Sequence, residues 1–121
     1  MTEKDSLSLT METLDAFTAQ RDWGQFHSIK NLMNSISIEA AELNETIQWT
    51  NPDAAEVKQN PELVEEISDE IADVMAYCLR LCSVLGIEPI AAINAKIFKN
   101  EAKYPAERVR GSPAKYTAYE K

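Results

Sequence analysis

With 121 residues the chain is long enough for one domain, 1–121, with a core of its own, and its 45% apolar content is that of a globular protein. A net charge of −8 argues against a nucleic-acid duplex as partner, because phosphate backbones need a broad basic footprint. No apolar run approaches the roughly 18 residues of a membrane span, and the polar start from Met1 to Asp5 lacks the basic and apolar regions of a signal peptide, so no membrane partner and a cytoplasmic location are expected.

The charge is distributed unevenly. Residues 1–30 sum to −2, residues 31–79 to −10 with Lys58 their single basic residue, and residues 80–121 to +4. An acidic middle and a basic end suit a small polyphosphate held between metal ions and a few lysines.

In chain order, Thr10 can cap a first helix that runs to about Gln20, with Met11, Leu14 and Phe17 on its inner face. The segment Arg21-Asp22-Trp23-Gly24-Gln25-Phe26-His27 breaks the helical pattern and places two aromatics and the sole histidine ahead of the next helix. Ser28 can cap that second helix, Ile29 to about Trp49, whose apolar stripe is Ile29, Leu32, Met33, Ile36, Ala40, Leu43 and Ile47. From the residues alone, core packing is the favoured role of Trp23, Phe26 and Trp49, with a nucleobase sandwich as the sharper alternative. For His27 a hydrogen-bonded structural role is likewise favoured over catalysis.

Thr50 to Asn60 reads as a polar loop. Asn60 as N-cap and Pro61 at the first helical position mark the start of a third helix, which runs to about Leu85 and stops at Gly86. Its stripe is Leu63, Ile67, Ile71, Val74, Cys78, Leu81 and Leu85. Cys78 and Cys82 lie on the core side as expected buried thiols. Pro89 opens a fourth helix with Ile90, Ile93, Ile97 and Tyr104 on its apolar face, ended by Pro105. Lys96, Asn100 and Lys103 share a lane on it, which carries little by itself because helix lysines are usually solvated. The segment 106–121 reads as a basic, irregular C-terminal tail.

Two acidic pairs stand out, Glu39/Glu42 on the second helix and Glu70/Asp73 on the third. Residues three and four apart share a helix face, and Glu66, Glu70, Asp73 and Tyr77 form one lane beside the third helix's stripe. Antiparallel packing of the two helices turns both acidic lanes toward one cleft. Like charges about 4 Å apart repel by roughly 4 kcal/mol at an effective dielectric near 20, so the carboxylates must protonate, separate or share a cation. Oxygen-only ligands suit Mg²⁺ or Mn²⁺, whereas zinc or a di-iron centre would normally recruit histidine or thiolate, and the chain has one histidine. A lone Glu-x-x-Glu is common on solvated helices. Two such pairs set among apolar residues, without Lys or Arg beside them, favour a metal site over a plain acidic face.

With these residues in place, the sequence resembles the MazG-like branch of the all-α nucleoside triphosphate pyrophosphohydrolases, and most closely the dCTP pyrophosphatase type. The likeness covers about Phe17 to Tyr119. It rests on Glu39-Ala40-Ala41-Glu42 and Glu70-Ile71-Ala72-Asp73, and continues through Arg21-Asp22-Trp23, Phe26-His27, Asn31-Leu32, Gln48-Trp49 and Tyr77. It ends with Lys96-x-x-x-Asn100-x-x-Lys103-Tyr104-Pro105, Arg110-Gly111-Ser112 and Lys115-Tyr116-Thr117. An out-of-register motif, Glu66-Ile67-Ser68-Asp69, competes on the third helix; Glu70/Asp73 is preferred because Asp73 precedes Val74 and stands four residues before Tyr77, as in the relatives. The chain lacks the histidine that some dCTP-type members carry in the first helix.

The resemblance implies an all-α, four- to five-helix MazG-like bundle assembled into a homo-oligomer, a tetramer of paired dimers. It implies that Glu39, Glu42, Glu70 and Asp73 hold Mg²⁺, with Mn²⁺ as substitute, and that Glu39 or Glu42 is the catalytic base. Lys96, Asn100 and Tyr77, with Lys103, would contact the phosphates; Trp23 and Trp49, with His27 beside them, would line the base pocket. The expected reaction is hydrolysis of a deoxynucleoside triphosphate, dCTP-like, to the monophosphate and pyrophosphate as a house-cleaning activity. The alternatives are the same chemistry on dATP, dUTP or a modified dNTP, or a non-catalytic helical protein-interaction module.

Overall fold

Each long helix begins where a side chain takes up the amide groups that its first turn leaves unpaired. Asp5 accepts from the amide of Ser8 and starts α1, Ser6–Gln20, one turn before the expected cap at Thr10. Ser28 accepts from the amide of Asn31 at 3.1 Å and starts α2, Ile29–Glu45, as its sequence indicated. Between them Asp22 takes a left-handed conformation with φ 53°, after which Trp23–Phe26 form a single 3₁₀ turn. The side-chain amide of Asn31 donates to the carbonyl of Phe26 at 3.0 Å, tying that turn to the start of α2. His27 is fixed at the joint.

The helix α2 ends at Glu45, about a turn short of the expected boundary, and Thr46 to Trp49 continue as a turn. Thr46 and Ile47 are β-branched and poor at extending a helix end, and the Thr46 hydroxyl donates back to the carbonyl of Leu43. Within the expected polar loop Asp53 caps a short helix, α3, Ala54–Lys58. Asn60 and Pro61 then open α4, Pro61–Leu85, which stops at Gly86 in the left-handed region with φ 69°, where a Cβ would be strained. The remaining helices are α5, Pro89–Lys103, capped by Glu88, and α6, Ala106–Val109, a turn of helix inside the segment expected to be irregular.

The structure is a computed structural model and describes residues 4–113. Lys115, Tyr116 and Tyr119 lie outside that range. Among the described residues all regular structure is helical. The chain divides into two compact units, Met1–Gly86 and Ile87–Lys121. In the first unit α2 packs along α4, with α1 and α3 also against α4. Later residues of α2 meet earlier residues of α4: Glu39 lies by Asp73, while Leu43 and Ile47 lie by Ile67. The two helices therefore run antiparallel, as the acidic lanes require.

The stripes are only partly covered. Among the described residues Leu32, at 1% exposure, is the one fully buried apolar side chain, while the stripe residues Ile29, Met33, Ile71 and Leu85 stay exposed, as do Ile38 and Met75 outside the stripes. Cys78 and Cys82 are half-buried. No single helix among the described residues is long and apolar enough to cross a membrane.

Because Leu32 is surrounded on all sides, truncation there leaves a hole that exposed stripe positions would not. Leu32→Ala should lower unfolding free energy by about 2–4 kcal/mol in chemical denaturation, with unchanged helix content before the transition.

Candidate metal centre and aromatic pocket

The antiparallel register of α2 and α4 brings one carboxylate oxygen each from Glu39, Glu70 and Asp73 within 4.8 Å of one another. Glu39 and Glu70 are half-buried and Asp73 is exposed. The Oε2 atoms of Glu39 and Glu70 are both shielded from solvent and lack a hydrogen-bond partner. A buried carboxylate oxygen normally finds a donor, and two adjacent ones without donors are costly. An oxygen-binding cation held by these residues would supply the missing partner, so this donor set fits a hard divalent ion.

Glu42 stands one turn along α2 and completes the acidic group electrostatically. Burial, then the Glu42 carboxylate, then the charges of Asp73 and Glu70 push Glu39 up to about 7. Burial, followed by the charges of Glu42 and Asp73, raises Glu70 as well. Glu42 and Glu70 also line an open acidic cleft of about 410 Å³, with Glu45, Thr46, Glu66 and Asp69. The competing Glu66/Asp69 pair thus opens into this cleft, and Asp69 is exposed.

A second cavity, about 280 Å³, adjoins the cluster through Asp73. Its walls are Phe17 and Thr18 from α1, Trp23 and His27 from the connecting turn, and Tyr77 and Arg80 from α4. The rings of Phe17 and Trp23 meet edge to face at 5.6 Å, with the Arg21 guanidinium 3.6 Å above Phe17. His27 and Tyr77 meet edge to face at 6.4 Å. Burial and the positive charge of Arg80 hold His27 below the ordinary imidazole value.

Of the residues picked out in the sequence, Glu39, Glu70 and Asp73 converge, Glu42 adjoins them, and Trp23, His27 and Tyr77 share the aromatic pocket. Trp49 stands apart in the turn after α2 at 89% exposure, and Phe26 and Trp23 are also exposed, so none of the three takes the core role favoured from residues alone. Lys96, Asn100 and Lys103 lie in one lane of α5, in the second compact unit. Arg80 of the pocket wall and its partner Asp15 on α1 were not picked out. Arg80 donates from Nη1 to Asp15 Oδ1 at 2.7 Å and from Nε to Nδ1 of His27 at 3.2 Å. The signal for Arg80 was present, since it prolongs the lane Glu66, Glu70, Asp73, Tyr77 by one more turn.

The sequence pattern of the MazG-like family matches residues 34–118. The chain belongs to this MazG-like family. It is 36% identical to dCTP pyrophosphatase 1 of Rattus norvegicus over 106 residues, covering 84% of this chain and 60% of that protein. It is 33% identical to dCTP pyrophosphatase 1 of Homo sapiens over 102 residues, with the same coverage. The chain thus spans about 60% of the length of these curated relatives. Among solved structures it resembles a pyrophosphatase from Archaeoglobus fulgidus, 41% identical, with a TM-score of 0.78 over 87% of this chain and 97% of that one.

The raised carboxyls fix the pH behaviour of the metal-free MazG-like chain. Folded Glu39 binds its proton more tightly than unfolded glutamate, so the folded state holds more protons between pH 4.5 and about 7, and stability falls as pH rises through that window. Thermal melts in chelator should show a lower Tm at pH 7.5 than at pH 5, and Mg²⁺ or Mn²⁺ should restore it at pH 7.5 with little effect at pH 5. Glu39→Gln should flatten the chelator profile and remove most of the metal response.

Proposed function

We propose that this MazG-like protein hydrolyses a deoxynucleoside triphosphate, with dCTP-like substrates favoured, to the nucleoside monophosphate and pyrophosphate in a Mg²⁺-dependent, house-cleaning reaction. The observation that carries this reading is the pair of solvent-shielded, partnerless oxygens on Glu39 and Glu70 beside Asp73, at the edge of a cavity walled by aromatic rings. The names and identities of the relatives support the same reaction class.

Glu39, Glu70 and Asp73, with Glu42 at their side, would hold Mg²⁺ or its substitute Mn²⁺. The cation would supply Lewis-acid polarisation of the phosphates and neutralise their charge. Glu42 or Glu39 takes the proton of the attacking water; Glu39, pushed up to about 7, has a basicity near neutral pH that suits that task. Lys96, Asn100 and Lys103 on α5, together with Tyr77, bind the polyphosphate and stabilise the charge that develops on the departing pyrophosphate. Trp23 and His27 form the base-binding wall with Phe17 and Tyr77.

The protein acts as a homo-oligomer, a tetramer of paired dimers. Met33 and Ile71 on the stripes, and Ile38 and Met75 outside them, remain exposed on α2 and α4, more apolar surface than one chain covers. Trp49, exposed and outside its own chain's aromatic pocket, serves as a base-binding residue in the pocket of a neighbouring protomer. The location is cytoplasmic.

Two measurements test this reading. Glu42→Ala and Asp73→Ala should each lower pyrophosphate release from dNTPs by about a hundred- to ten-thousand-fold while preserving the helical circular dichroism spectrum. Products identified as monophosphate plus pyrophosphate support cleavage between the α and β phosphorus atoms; diphosphate plus phosphate refutes it. Sedimentation equilibrium should give a mass of four chains, and a monomer at micromolar concentration contradicts the assembly.

A further inference from the structure

Arg80 enters the aromatic pocket one turn beyond Tyr77, and two of its atoms are already committed. Nη1 donates to Oδ1 of Asp15 on α1, and Nε donates to Nδ1 of His27. The Arg80 side chain is 14% exposed, so the guanidinium is held largely away from water between these two partners. The Asp15 carboxylate balances its charge and fixes its plane, since two atoms of the rigid fork are engaged at once.

The consequence falls on His27. A neutral imidazole has one N–H and one lone-pair nitrogen, and Arg80 occupies the lone pair at Nδ1. The ring proton therefore sits on Nε2. Arginine itself has five N–H donors and no acceptor. The stretch of pocket wall made by His27 and Arg80 can give hydrogen bonds and can receive none, while the hydroxyls of Thr18 and Tyr77 elsewhere in the lining can do either.

We propose that Arg80, anchored by Asp15, is a positioning residue that determines base specificity: by occupying Nδ1 it holds His27 as an Nε2–H donor, so the pocket selects a base whose edge presents a ring carbonyl beside a ring nitrogen. Cytosine offers that edge at O2 and N3. Adenine has no carbonyl and leaves a buried donor unpaired, and a site built to hydrogen-bond a group rejects the analogue lacking it. The inference rests on the nucleotide reading of the pocket, and its test separates the two.

His27 is the only histidine in the chain, so its ring nitrogens can be read without assignment ambiguity by long-range ¹H–¹⁵N NMR on the 121-residue chain. The wild-type spectrum should show Nε2 protonated and Nδ1 bare, and Arg80→Met and Asp15→Asn should each return the ring toward a mixture of tautomers. The same samples titrated with dCMP and dAMP should show wild-type preference for dCMP, reduced about tenfold in each variant. Should Arg80→Met fail to fold, Asp15→Asn keeps the shape of the side chain and carries the test. A proton on Nδ1 in the wild type overturns the proposal, as does a dCMP:dAMP ratio that neither variant changes. If neither nucleotide binds the wild type, the nucleotide reading fails, and the selection proposed on it falls with it, while the tautomer measurement still decides what Arg80 does to His27.

Discussion

The structure turns on a repulsion that the protein alone does not relieve. Glu39, Glu42, Glu70 and Asp73 face one another across the α2–α4 contact, and two of their oxygens are cut off from water without a donor. A helix pair selected for stability alone would place leucine or alanine there, because shielding unpaired carboxylates from water is destabilising. The fold instead keeps the acids and fixes their spacing through the stripes on either side, with Leu32 buried on α2 and Ile67 against Leu43 and Ile47. Crowding raises the basicity of Glu39, so a proton is held more tightly there than on an isolated glutamate, and a cation at the cluster would compete with it.

Much of this was legible in the sequence because it depends on short-range regularities. Asn60-Pro61 and Gly86 bound α4 where capping chemistry places them, and i, i+3 spacing put Glu70 and Asp73 on one lane. The misread boundaries lie where local preferences are weak. Helix α2 stops before the β-branched Thr46 and Ile47 although the apolar period continues to Ile47, and α3 is five residues long, too short for periodicity to reveal. Asp15 and Arg80 are 65 residues apart and belong to no common pattern. Their pairing is a product of α1 packing on α4, which sequence spacing cannot express.

The aromatic residues show a further limit. Trp23, Phe26 and Trp49 have equal claims to a core when read as residues, since large rings dominate burial energetics. Their fates differ because the chain around them differs. The left-handed turn at Asp22 and the Asn31 amide fix the connection so that Trp23 meets Phe17, and His27 meets Tyr77, edge to face. Trp49 lies beyond the end of α2, in a turn that no element of its own compact unit covers.

One helix joins the two halves of the site. Glu70, Asp73, Tyr77 and Arg80 follow one lane of α4, and at 1.5 Å rise per residue the lane spans about 15 Å from first to last. That is the scale of an extended nucleotide. Asp73 belongs both to the acidic cluster and to the aromatic cavity, so the two environments meet at a single carboxylate. At one end the lane is acidic; at the other it carries a donor, Arg80, neutralised by Asp15. With about 15 Å of helix between Glu70 and Arg80, the guanidinium is too far along the lane to answer the charge at Glu70. Its partners are instead Asp15 and His27, so the charge of Arg80 is used within the aromatic wall and the oxygens of Glu39 and Glu70 keep no donor from this chain.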